Sequence, residues 1–131
     1  MVTIAPLDFI GKTDRGETNA FENDRTGQFL LSHRIAGSKN GGHIHTGKHP
    51  YKQPEKLMLL NGTADLVWKT LDGQTGTERV VAPAHIHIPP HVWHRLDAIT
   101  DIVFMEFNSL AAGQGDSFYN YEDIPEDMRQ A

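Results

Sequence analysis

The sequence contains no cysteine, which excludes disulfides, thiolate metal sites and a cysteine nucleophile together. Any metal would have to be held by His, Asp or Glu. Positive charge is in deficit, with Lys+Arg 12 against Asp+Glu 17 and a formal net charge of −5. That balance argues against a nucleic-acid partner or an anionic membrane surface. No apolar run approaches the roughly 18 residues of a membrane span. The first residues, Met-Val-Thr-Ile-Ala-Pro-Leu-Asp-Phe-Ile-Gly-Lys, lack a basic region followed by an apolar core, so no secretory signal is expected and a cytoplasmic location is. Gly11-Lys12-Thr13 has the end of a phosphate-binding loop but no Gly five residues before Gly11, so the cradle of backbone amides is missing.

Helical periodicity is also missing until the tail. What replaces it is a series of eight or nine short strand-like segments separated by turn signals. They cover residues 28–35, 43–45, 55–61, 64–71, 78–82, 85–88, 92–99 and 102–108, with a possible edge strand at 2–10. Asn61-Gly62 and Asp72-Gly73 are favoured tight-turn pairs. The pattern predicts an all-β sandwich or barrel. One domain is expected over residues 1–131, with an N-terminal arm at about 1–25, a barrel at about 26–110 and a tail at about 111–131. The tail reads as an arm or as a short helix near 125–129, where Pro125 suits a first helical turn. In two segments both faces are apolar: Leu57 and Leu59 oppose Met58 and Leu60, while Ile102 and Phe104 oppose Val103 and Met105. A half-solvated strand would alternate, so the outer face should meet a second layer, and a homodimer is expected.

Four residues stand out chemically. His43 and His45 are two apart, so on a strand both rings leave one face and can converge on one ion at about 2.0–2.1 Å. The alternative is a polar loop edge beside Gly41-Gly42. Glu55 shares parity with Leu57 and Leu59, which points it inward, where a carboxylate needs a cationic partner; otherwise it is a solvated strand start. His94 shares parity with Val92 and Leu96 and reads as an inward group or a neutral core histidine. His85 and His87 form a second pair two apart. They either line the same cavity as proton-transfer groups or face outward with Ile86 and Ile88 inside. His87 and His91 are the candidate acid–base residues.

The chain resembles a single-domain cupin. Gly37, five residues, His43-Ile44-His45, then Glu55, six residues and Gly62 follow that family's first motif, and Pro89-Pro90-His91-Val92-Trp93-His94 follows its second. The resemblance covers residue 37 to about 98. It departs in the nine residues between His45 and Glu55, which leave His49 as a rival for the third position, and in His91 and Ala98, which replace the family's Gly and Asn. The resemblance implies a cupin-type jelly-roll β-barrel. It also implies one divalent transition metal (Fe, Mn, Ni, Co or Zn) on His43, His45, Glu55 and His94, with His49 as alternate ligand, acting on a small oxygen-rich substrate. A second likeness rests on Asp14-Arg15-Gly16, on His43-Ile44-His45 and on the acidic, tyrosine-bearing stretch from Tyr119 to Asp123. It resembles the cupin-type ketoisomerases of nucleotide-linked deoxysugars, in which histidine rather than metal moves protons. A non-catalytic binding or sensing module is the third reading.

Overall fold

The computed structural model describes residues 1–129. Eleven strands occur among them: β1 (Thr3–Pro6), β2 (Asp8–Thr13), β3 (Gly16–Ala20), β4 (Leu30–Arg34), β5 (Lys39–His43), β6 (Glu55–Asn61), β7 (Thr63–Lys69), β8 (Thr75–Val81), β9 (Ala84–Ile88), β10 (Trp93–Ala98) and β11 (Ile102–Glu106). A five-stranded sheet has the order β1-β9-β6-β11-β4, and a four-stranded sheet the order β5-β10-β7-β8. Every pairing is antiparallel. The two sheets face each other as a cupin-type jelly roll. The β2–β3 hairpin stands apart from both.

The core forms because the strands alternate. β7, β9 and β10 bury every second residue, and Leu66, Ile86, Ile88 and Leu96 meet Leu57, Leu59 and Phe104 between the sheets. Each such side chain contributes roughly 1.5–3 kcal/mol on full burial. Gly62 closes the β6–β7 turn at φ 91°, where an added Cβ would sit 2.3 Å from the Asp101 carbonyl, so only glycine fits.

Three segments differ from the sequence reading. Residues 37–42 lie between the strand-like segments at 28–35 and 43–45, where the sequence shows only a loop, yet β5 begins at Lys39 and pairs with β10. The strand read at 43–45 ends at His43, and Ile44 instead makes a single bridge to Phe118 in the tail. The N-terminal arm holds three strands rather than one edge strand. The tail after Glu106 forms three short 3-10 turns, Leu110–Gly113, Tyr121–Asp123 and Glu126–Met128. No described helix is long and apolar enough to cross a membrane. On the outer face of the five-stranded sheet Met58 is fully buried while Leu31 and Leu60 are exposed. Phe21, just after β3, packs edge-on against His85 and Phe107, so the N-terminal segment covers part of that face.

Candidate functional site

The site begins with the two glycines that precede His43, the last residue of β5. His94 pairs with His43 but Arg95 pairs with Gly41, so Gly42 is an extra residue and the strand bulges. Gly41 and Gly42 have φ 91° and 80°, and an added Cβ on Gly41 would press on the His94 carbonyl at 3.3 Å. The bulge sets His43 beside His94, with ring centroids 4.9 Å apart, and His45 lies 4.5 Å from His43. Glu55 reaches in from the first position of β6, on the opposite sheet. One ligand-type atom from each of His43, His45, Glu55 and His94 lies within 4.8 Å of the others.

Glu55 is 2% exposed and faces three cations or potential cations. Its Oε2 lies 3.1 Å from His94 Nε2 and 3.3 Å from His45 Nε2, and its Oε1 lies 3.3 Å from Lys52 Nζ. The His45 contact is close but not aligned as a hydrogen bond, leaving His45 Nε2 and Glu55 Oε2 without hydrogen-bond partners. Both histidines are oriented from behind. His94 Nδ1 donates to the Val92 carbonyl at 3.0 Å and His45 Nδ1 to the Asp116 carbonyl at 2.6 Å, so each Nε2 is turned toward Glu55. Burial alone would raise the Glu55 carboxyl. The charge of His94, the contacts from both histidines and the charge of Lys52 outweigh it and hold Glu55 well below the usual carboxylate range. Burial likewise opposes charge on His94, but Glu55 wins and raises it. His43 behaves oppositely: burial, then the charges of His94 and His45, push it down to about 3, so it is a neutral imidazole.

The loop over residues 46–54, which delivers Lys52 and Glu55, is held at both ends by buried charges from distant segments. The fully buried Asp116 carboxylate accepts from the Thr46 amide (2.8 Å), the Thr46 hydroxyl (2.6 Å) and the Gly47 and Lys48 amides (3.0 Å each). Arg25 donates to the carbonyls of Tyr51 (2.7 Å), Phe107 (3.2 Å) and Pro54, and its guanidinium stacks 4.8 Å from the Tyr51 ring. Sequence reasoning missed Lys52, Arg25 and Asp116. Charged residues are rarely buried without a partner, and their partners here come from far along the chain.

The remaining candidates lie elsewhere. His49 is exposed, outside the cluster, where its Nδ1 accepts from the Tyr51 amide at 3.0 Å. His85 and His87 stand on the outer face of the five-stranded sheet, with Ile86 and Ile88 inside, and line a separate cavity with Phe21 and Lys56. His91 sits in the turn before β10 at φ 66°. Its amide donates to the His45 carbonyl and its own carbonyl accepts from the Tyr121 hydroxyl at 2.6 Å. Trp68 is buried in the core and Trp93 is half-buried. Between the sheets, a cavity of ≈ 340 Å³ is lined by His43, Glu55, His94 and Glu106, with Arg34 and Lys39 also on its wall.

No protein-family model matches the chain, and no curated protein matches it by sequence. Solved structures do. A sugar 3,4-ketoisomerase from Thermoanaerobacterium thermosaccharolyticum in complex with TDP is 18% identical, with a TM-score of 0.72 over 93% of this chain and 90% of that one. A 3,4-ketoisomerase from Helicobacter canadensis is 15% identical, with a TM-score of 0.70 over 93% and 92%. The dTDP-4-dehydrorhamnose 3,5-epimerase of Sulfolobus tokodaii is 16% identical, with a TM-score of 0.65 over 92% and 85%. At these identities the likeness establishes the fold. It also corrects the expectation of a metal-binding cupin carrying one divalent Fe, Mn, Ni, Co or Zn on His43, His45, Glu55 and His94. Solved structures of this shape include sugar isomerases and epimerases, two of them described with TDP or a TDP-sugar bound. The site itself gives a physical reason. The carboxylate that a cation should balance already has the Lys52 ammonium on one oxygen and His94 on the other.

Proposed function

We propose that the protein is an isomerase or epimerase of nucleotide-linked deoxysugars that moves protons with histidine. The observation that carries this reading is a neutral histidine, His43, facing a cavity beside a carboxylate–imidazolium pair. Isomerisation next to a ketone needs a base for an acidic C–H proton and a polar group for the oxygen that becomes an enolate. A neutral imidazole can take that proton. Among the charges around it, the Glu55 carboxylate favours the imidazolium so formed, against burial and the charges of His94, His45 and Lys52. Arg34 and Lys39 supply positive charge for the diphosphate of a nucleotide-sugar. The ketoisomerase from T. thermosaccharolyticum has been captured as a histidine-to-asparagine variant with TDP-4-keto-6-deoxyglucose, which supports a histidine at the centre of that chemistry.

The test is to incubate the protein with TDP-4-keto-6-deoxyglucose in deuterium oxide and to follow the sugar by proton NMR. Deuterium should enter at a carbon next to the ketone and continue to enter after dialysis against a chelator. His43→Asn should abolish incorporation while TDP binding, measured by calorimetry, persists. A wild-type protein that neither exchanges hydrogen nor binds TDP would sink the reading. A homodimer belongs to the same proposal: Phe9, Ile10 and Leu31 are 60%, 66% and 61% exposed, which favours a second copy covering them. Light scattering that returns a monomer mass would remove that part alone. The cytoplasmic location expected from the first residues goes with this reading.

A further inference from the structure

We infer that Glu106 is a second proton-transfer residue of this cavity, serving the substrate's oxygens from the wall opposite His43. The inference deepens the isomerase reading and rests on it. Glu106 ends β11, where it pairs with Leu57 of β6, just as Phe104 pairs with Leu59. Leu57, Leu59, Ile102 and Phe104 all belong to the core, so parity turns Glu106 to the interior side of the sheet, and it lines the same cavity as His43, Glu55 and His94. His43 comes from the four-stranded sheet and Glu106 from the five-stranded one. A sugar between the sheets therefore meets the imidazole on one side and the carboxyl on the other.

The two interior glutamates differ in their company. Glu55 holds Lys52, His45 and His94 at contact distance. For Glu106 burial, then the negative charge of Glu55, raises the carboxyl above its ordinary value, and the charges of Lys52, His45 and His94 only partly oppose this. Environments push the two carboxyls of this site apart, so Glu106 takes up a proton more readily than Glu55. With Glu106 as the acid, the steps balance. His43 takes the C–H proton beside the ketone as the Glu106 O–H donates to the carbonyl oxygen, giving an enediol, an imidazolium and a carboxylate. The Glu106 carboxylate then takes the proton from the neighbouring hydroxyl. The imidazolium returns its proton to the former carbonyl carbon. Both residues end as they began, and the ketone has moved by one carbon.

Glu106→Gln keeps the shape and removes the ionisable proton. It should lower turnover of TDP-4-keto-6-deoxyglucose by about 10²–10⁴-fold, with the dissociation constant for TDP within about twofold of wild type. Glu106→Asp keeps an acid on a shorter arm and should fall between the two; it also serves if the glutamine variant does not fold. Turnover of either variant within threefold of an active wild type overturns the role of Glu106 and leaves the isomerase reading standing. Loss of TDP binding in parallel with turnover also overturns it, because the residue would then shape the cavity rather than move protons. A wild type inert toward the ketosugar takes down both proposals.

Discussion

The chain writes His-Ile-His twice, at residues 43–45 and 85–87, and the structure gives the two copies opposite surroundings. In the second copy Ile86 enters the main core, so both histidines face out from the five-stranded sheet toward Phe21 and Lys56. In the first copy Ile44 is fully buried but pairs with Phe118 of the tail, outside the main core, and the histidines face Glu55 and His94. The same three letters thus place their rings on different sides because a different layer claims the isoleucine. A covering tail, not the motif, makes a histidine pair internal.

The sharpest way to break this contrast is at the charges around the inner pair. Glu55→Ala leaves Lys52 and His94 buried without a counter-charge, and should cost about 3–5 kcal/mol in urea unfolding. Next comes the tail itself. Asp116→Ala strips the acceptor from three backbone amides and one hydroxyl, and should cost about 2–3 kcal/mol. Asp116 also gives the inner region an acid limit. Burial opposes its ionised form, but the hydrogen bonds from Thr46 and Lys48 prevail and lower its carboxyl below 3.8. Its stabilisation is therefore present above that value and lost as pH falls below it. In Asp116→Asn the stability curve should be flatter below about pH 4.

The outer pair should respond in a different window. Burial, then Lys56, lowers both His85 and His87 from 6.5, so the folded state favours their neutral forms. Stability is then highest above pH 6.5 and falls as pH drops through it. Thermal melts at pH 7 and pH 5 should differ less in a His85→Gln/His87→Gln double variant than in wild type. The smallest effect belongs to His87→Ala, expected within about 0.5 kcal/mol of wild type by urea unfolding. An outer-pair substitution as costly as Glu55→Ala would erase the distinction between the two copies.

Strands β6, β7, β9, β10 and β11 were legible because their apolar residues alternate or run, and the same parity argument turns Glu55 and His94 inward. β5 was not legible. Lys39-Asn40-Gly41-Gly42-His43 has no β-former pattern and becomes a strand only by pairing with β10. The first twenty residues hide three strands for a similar reason, since Gly16-Glu17-Thr18-Asn19-Ala20 carries no apolar face. The metal expectation failed at one residue. Sequence parity supplied a buried carboxylate and asked for a cation, and the cation beside it is the ammonium of Lys52, three positions earlier in a loop that no periodicity describes. Glu106 was overlooked at the end of an apolar strand, where a glutamate ordinarily meets water.

The hold of Asp116 on residues 46–48 also sets an order of events during synthesis. When Glu106 has left the ribosome, every strand of both sheets has been made. The carboxylate that shapes the loop bearing Lys52 is still to come. A nascent chain paused between those two residues owns every strand of both sheets yet lacks the carboxylate that fastens residues 46–48, so the architecture is complete before the loop beside Glu55 is latched.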